Sequence, residues 1–516
     1  MPEYLTPGVY VEEVSSGNKP IAGVGTSTAG FVGATERGPL APQFITSWLE
    51  FQRWYGGYVP EQSYLAYAVE GFFTNGGQRC FVARVVGAGA QNAFGSVAAD
   101  SGQNKLNAIA IGPGEWGNRI EIAVVKDTNS NDDDACKFMV RYTDAKGNST
   151  DEVWPNLTHQ PSASNNLVKT VNAASRFVRV WWDDGNAPAK LKAQELPPNT
   201  DPTFAPLADG SDGSALTAND FTGSDEFITS ANTPTMLQGL LGLSQGLAAL
   251  ELIDEVALLI APDEIKYGAD VRNAVIDQCT ALKDRFAICS IPQGQSTVAS
   301  LRPPSSESYA AVYYPWIKVY DPSVNDVRLI PPAGHVAGIY ARTDIERGVH
   351  KAPANAVVRG ALDLEFPITK QIQDLLNPRN INCIRDFRSD GNGIRVWGAR
   401  TMSSDAEWRY VNVRRLFLFV EESIDEGTQW VVFEPNDEPT WDAVRRNITS
   451  FLTSVWHSGA LVGTTPEEAF FVACDRTTMT QDDIDNGRLI CVIGIAPIKP
   501  AEFVIFRISR KTADAG

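Results

Sequence analysis

The side chains that could carry chemistry in this chain stand apart from one another. Its four histidines, His159, His335, His350 and His457, include no pair at metal-ligand spacing. Gly23-Val24-Gly25 is followed next by Gly30, so the third glycine of a dinucleotide loop is missing and the segment reads as a turn. No G-x-x-x-x-G-K-[S/T] phosphate loop, H-E-x-x-H zinc motif or G-x-S-x-G nucleophile elbow occurs. Asp132-Asp133-Asp134 lacks the glycine and glutamate of an EF-hand and reads as a solvated loop. Asp209 to Gly213 could hold a hard cation loosely, but its Gly/Asp chemistry is that of a turn. Glu12-Glu13, Glu421-Glu422 and Asp482-Asp483 read as solvated faces of an acidic chain. Asn148-Ser149-Thr150, Asn156-Leu157-Thr158 and Asn447-Ile448-Thr449 match the glycosylation pattern by chance, given no secretory leader. No catalytic, cofactor-binding or metal-binding residue is assigned, no cofactor is expected, and the weight shifts toward a structural role.

Composition agrees with that shift. The 516 residues are 43% hydrophobic and 21% charged, enough to bury a core and long enough for about three domains. A formal net charge of −18 opposes a phosphate backbone, so no nucleic-acid partner is expected. Seven dispersed cysteines, with no C-x-x-C, read as buried free thiols in a reducing compartment. Met1-Pro2-Glu3-Tyr4 opens no signal peptide, and no apolar run approaches the ~20 residues of a membrane span, so no direct membrane insertion is expected.

The elements that would position any site follow from periodicity. Gly30 to Gly33 reads as a strand, and Ser47 with Glu50 as a capping box opening a helix. Leu65, Val69, Phe72 and Phe73 mark a second helix that stops at Asn75-Gly76-Gly77, before a buried strand over Cys80 to Val86. From about 90 to 234 the chain turns rich in Asn, Asp, Ser, Gly and Pro, with short strands at Arg119–Val124, Phe138–Tyr142 and Phe177–Trp181. This reads as a β-rich domain inserted in an α/β one. A helix from Met236 to Leu250, strands at Val256–Ile260, Phe286–Ile291 and Ala311–Trp316, and a helix carrying Val271, Val275, Ile276 and Cys279 restore the α/β pattern. Such strands belong to a sheet covered on both faces. A last region from about Asn377 offers strands at Arg414–Phe419 and Gln429–Phe433, a helix on Trp441, Val444, Ile448, Phe451 and Val455, and strands at Ala469–Ala473 and Leu489–Ile495.

Both ends of the chain are short apolar strands with no partner nearby, Pro7 to Val14 and Glu502 to Ser509. A terminal strand with an open edge invites pairing with another chain.

Longer motifs now identify a resemblance. Tyr4-Leu5-Thr6-Pro7-Gly8-Val9-Tyr10-Val11-Glu12-Glu13 and Pro20 to Ser27 resemble the opening of contractile tail sheath proteins. Gly398 to Thr401, Tyr410 to Arg415, Phe433-Glu434-Pro435-Asn436, Gly463 to Phe470 and Ile498 to Phe503 are similar to the C-terminal third of that family. The resemblance is weakest over about 90–234. It implies a mixed α/β, multidomain protomer: an N-terminal arm over 1–20, a middle α/β domain from 21–89 and 235–376, a β-rich outer insertion over 90–234, an inner C-terminal α/β domain over 377–498, and a C-terminal arm over 499–516. In the family such arms complete a small sheet in a neighbour's C-terminal domain. Carried over, Val9, Tyr10 and Val11 belong to one arm, Phe503, Val504, Ile505, Phe506 and Ile508 to the other, and Leu489 to Ile495 is the receiving strand.

The partners implied are further copies of the chain in a six-fold helical or stacked-ring polymer, an inner tube protein, and baseplate and terminal cap proteins. The place implied is a phage tail or contractile injection particle assembled in the cytoplasm. Arg445 and Arg446 are candidates for a basic face toward an acidic tube, against intramolecular or intersubunit ion pairing. Two other readings stay open at this level: an α/β enzyme, hydrolase-like, with a β-rich insertion, and another self-assembling shell or adhesion protein.

Overall fold

The computed structural model describes residues 20–59, 61–98, 105–130, 135–183, 193–197, 200–223 and 244–506. They fall into two compact units. The larger comprises Thr26–Glu346 and Ala352–Arg414; the smaller holds, of the described residues, 20–25, Arg347–Lys351 and 415–506.

The larger unit is built on a nine-stranded sheet. In spatial order its strands are Ala356–Val357, Gly393–Val396, Ile381–Phe387, Ala310–Tyr314, Phe286–Ser290, Leu258–Ile260, Ala29–Gly33, Cys80–Arg84 and Gln43–Ile45. The six from Ile381–Phe387 to Cys80–Arg84 run parallel, and the remaining three are antiparallel additions at the two edges. Every residue of Ala29–Gly33, Phe286–Ser290 and Ala310–Tyr314 is buried, as a parallel sheet with helices on both faces requires. The Ala269–Leu282 helix contributes Val271, Val275, Ile276 and Cys279 to the core beside Val32, Leu259 and Val312.

The chain leaves this sheet after Cys80–Arg84 and returns at Leu258–Ile260, the two neighbours of Ala29–Gly33. Between them it forms two antiparallel sheets, of four and three strands, over one core of Leu106, Ile120, Phe138, Val140, Val178 and Val180. Cys136–Thr143 alternates buried and half-buried residues along its length, the period of a strand with one face on a core.

Some local signals resolve differently from the sequence reading. Ser47 caps the Trp48–Tyr55 helix by accepting from Glu50 N, but the Glu50 carboxylate accepts from Thr46 N and Oγ1 rather than from the cap residue's own amide. Arg414 to Phe419 is not a strand; it lies in the 18-residue helix Val411–Thr428. A continuous apolar run fits a buried strand and a buried helix equally, and here the length of the element decides. Gln429–Val431 is a single 3-10 turn, and Val432 and Phe433 are exposed, so no strand forms there either. Of the helix read from Met236 to Leu250, the described part is Gly246–Glu251. Residues 381–396, read as part of the last domain, hydrogen-bond into the nine-stranded sheet through Val312↔Ile381 and Tyr314↔Cys383.

The smaller unit packs two helices and a hairpin. Leu416 and Val420 of the Val411–Thr428 helix meet Trp441, Val444, Ile448, Phe451 and Val455 of the Glu438–His457 helix. Asp437 caps the latter helix by accepting from Thr440 N, and Pro439 stands in its first turn, where no amide is needed. Ile21 enters this core, Val24 N donates to Ser423 Oγ, and Gly23 lies against the Phe419 ring, 2.8 Å from where a Cβ would stand. Residues 21–24 are therefore part of the smaller unit's packing.

Candidate assembly surface

The receiving element named from sequence is half of a two-stranded antiparallel sheet. Phe470–Ala473 pairs with Val492–Ile495 in the register Phe470↔Ile495, Phe471↔Gly494, Val472↔Ile493, Ala473↔Val492. Ala496 N donates to Ala469 O at 2.8 Å, which fixes the parity of the ladder. Phe471 and Ala473 therefore exchange bonds with Gly494 and Val492. Phe470, Val472, Ile493 and Ile495 turn their N–H and C=O groups toward the two outer edges. Among the described residues neither edge has a third strand.

Side chains alternate in step. Phe470, Val472, Ile493 and Ile495 pack on the helical core, while Phe471 and Val492 face solvent. The Phe471 ring lies across Gly494, so a side chain there would have to displace the ring. A hairpin of two short strands is marginal in water without further strands or packing. Here one face is supported by the helical core, and among the described residues both edges are unpaired.

The C-terminal arm residues are placed as far as Phe506. Phe503, Val504, Ile505 and Phe506 join no strand of the described residues and are 71%, 68%, 78% and 84% exposed. Four consecutive large apolar side chains are thus exposed to water. Val9, Tyr10, Val11 and Ile508 lie outside the described residues.

The two arginines of the Glu438–His457 helix differ. Arg445 forms an ion pair with Asp442 and adds a smaller electrostatic pull on Asp475, whose carboxyl is held low chiefly by the hydrogen bonds it accepts from Thr477. Arg446 is exposed, and no ion pair of Arg446 occurs among the described residues. It shares its helix face with the exposed Thr449, Ser450, Ser454 and His457.

In the larger unit the parallel strands diverge from Ala29–Gly33 in two directions, a topology whose crevice at the strand ends commonly holds ligands. That crevice is occupied by the protein's own carboxylate. Asp263, fully buried, accepts from Tyr64 N at 2.7 Å and from Ser63 Oγ at the start of the Leu65–Thr74 helix, where an anion would sit. Burial pushes its carboxyl up to about 6 despite these bonds. A neighbouring cavity of about 580 Å³ mixes charges of both signs, with Glu36, Asp212, Arg84 and Lys266 among its lining residues. No cluster of three metal-ligating side chains occurs among the described residues, and no described helix is long and apolar enough to cross a membrane.

Two family models match the chain in succession. One, the phage tail sheath protein central domain, covers residues 217–402; the other, the phage tail sheath C-terminal domain, covers 403–511, and together they span more than half of the chain. A prophage protein of Pseudomonas aeruginosa, named a major tail sheath protein, is 27% identical over 300 residues, 54% of this chain and 70% of that protein. The sheath of an extracellular contractile injection system, PVC, solved in its contracted state, is 25% identical with a TM-score of 0.57, covering 99% of both chains. A chain of the six-fold symmetrised anti-feeding prophage baseplate is 25% identical with a TM-score of 0.56, covering 99% of this chain and 100% of its own.

Proposed function

We propose, for a chain that belongs to the phage tail sheath family, that its subunits are tied together by strands donated from both termini to the open hairpin of neighbouring copies. The chain is a structural protein of a contractile sheath, the role its relatives and structural neighbours share. In the proposed assembly the segment 499–516 of one copy and the segment 1–20 of another lie along the two outer edges of the Phe470–Ala473/Val492–Ile495 sheet. The observation that carries this reading is the pairing of two unfilled edges with an exposed apolar segment in one chain. Backbone hydrogen bonds give such a joint strength without fixing the angle between subunits, which a contracting lattice needs.

The finer scheme follows the same logic. The polymer is a six-fold stack of rings or helical strands around an inner tube, closed by baseplate and cap proteins and assembled in the cytoplasm. Stored lattice energy, released by new contacts between outer surfaces, drives the tube through a target envelope without nucleotide hydrolysis. The insertion over 90–234 forms the outer layer. The inner sheath domain is better begun near Arg415 than at 377, because 381–396 are strands of the large sheet. Of the two tube-facing candidates, Arg446 is favoured, since Arg445 is engaged with Asp442.

Negative-stain microscopy of the purified full chain tests the proposal. Long tubes are expected, and deletion of 1–14 or of 500–516 abolishes them. Normal tubes from both truncations overturn strand donation.

A further inference from the structure

We propose that Cys474 and Cys491 form an oxidisable thiol pair whose disulfide pins the register of the receiving hairpin. One step past Ala473↔Val492 the register sets these two cysteines opposite each other. Because Ala496 N donates to Ala469 O, the alternation carried one step beyond the last pair of the ladder sets Cys474 and Cys491 at a non-hydrogen-bonded step. Opposite Cα atoms at such a position lie about 4.5 Å apart. A disulfide bridges Cα separations of about 4.4–6.8 Å.

Side-chain direction agrees. The residues of the same parity, Phe470, Val472, Ile493 and Ile495, face the helical core, and both thiols join them there. Cys474 is buried, Cys491 is half-buried, and both are free thiols. Each thiol acts on the other's proton: the Cys491 thiol and the Arg445 cation hold Cys474 below the ordinary thiol range, while the Cys474 thiol and burial push Cys491 up. The other five cysteines, Cys80, Cys136, Cys279, Cys289 and Cys383, are buried in the larger unit, which keeps oxidants away, whereas Cys491 is half-buried.

With oxidised glutathione as oxidant, the more accessible Cys491 sulfur attacks one sulfur of the glutathione disulfide. A mixed disulfide forms, and the first glutathione thiolate leaves and takes up the proton lost from Cys491. The Cys474 thiolate then attacks the Cys491 sulfur, the second glutathione thiolate leaves, and the proton lost from Cys474 passes to it. Two protein thiols are oxidised and one glutathione disulfide is reduced to two thiols.

The consequence for assembly rests on the strand-donation reading, because a pinned hairpin presents its two edges in one register. The disulfide itself is read on the single chain, so the two fail independently. The purified full chain is incubated with oxidised glutathione, quenched in acid, alkylated and mapped by peptide mass spectrometry. The expected result is a Cys474–Cys491 linked peptide and the loss of two alkylatable thiols of the seven, reversed by dithiothreitol. In Cys474→Ser a glutathione adduct persists on Cys491, and in Cys491→Ser no linked peptide appears. Retention of all seven thiols by the wild-type chain, or linkage through any other cysteine, overturns the proposal.

Discussion

Substitution of the C-terminal arm separates a strand that docks on a neighbour from one that is merely exposed. In the single chain Val504 and Phe506 are 68% and 84% exposed, so most of their burial free energy is still to be gained. Fully burying side chains of this kind contributes roughly 1.5–3 kcal/mol each, so the pair offers about 3 kcal/mol to a joint that covers that face. Loss of ~3 kcal/mol weakens docking about 100-fold. Val504→Ala with Phe506→Ala should therefore raise the protein concentration at which tubes appear by that order. The same variant should leave thermal unfolding of the unassembled chain within about 0.5 kcal/mol of wild type, since these side chains touch little in the free chain. Because strand side chains alternate, Phe503→Ala with Ile505→Ala tests the opposite face, and one of the two double variants should be the more damaging. Tube yield is read by sedimentation and microscopy, chain stability by calorimetry below the assembly threshold. Unchanged assembly in both double variants, or a large fall in chain stability in either, refutes docking of this segment.

Three further outcomes follow from single sites. Gly494→Val collides with the Phe471 ring and should destabilise the hairpin by about 1–3 kcal/mol, with hydrogen exchange accelerated at Phe471 and Ala473; unchanged exchange would contradict the close approach. Asp263 has a folded pKa raised from 3.8 to about 6, so the stability it contributes is present below 3.8 and lost as pH rises to about 6, a cost of about 3 kcal/mol at neutral pH. Asp263→Asn should therefore gain on wild type between pH 4 and pH 7, and equal differences at both pH values would be the wrong result. Arg446→Glu should leave chain stability unchanged and weaken co-sedimentation with an acidic inner tube, more so at low salt; salt-independent binding would remove Arg446 from that interface.

Much of the fold was legible because its signals are local. The buried strands Phe286–Ser290 and Ala310–Tyr314, the Glu438–His457 helix with its proline in the first turn, and the stop at Asn75 all follow from periodicity and turn chemistry. Arg414 to Phe419 was misread because an apolar run carries no period when more than one side is covered. Residues 381–396 were assigned to the last domain because membership of a sheet depends on a partner strand far away in sequence, here Ala310–Tyr314.

The sequence by itself determined that the standard phosphate-loop, zinc and nucleophile-elbow motifs do not occur, that its C-terminal segment is apolar beyond any local need, and, through its motifs, which family it resembles. Only the tertiary structure decided which strand edges stay unpaired among the described residues. The two open edges arise because Phe470–Ala473 and Val492–Ile495, eighteen residues apart between their facing ends, pair with each other and with nothing else among the described residues. The same pairing sets Cys474 opposite Cys491, and a capping contact from Ser63 to Asp263 fills a crevice that topology alone would have left for a ligand. Hydrogen-bond parity and the filling of space are properties of residues brought together from distant positions, and no local pattern encodes them.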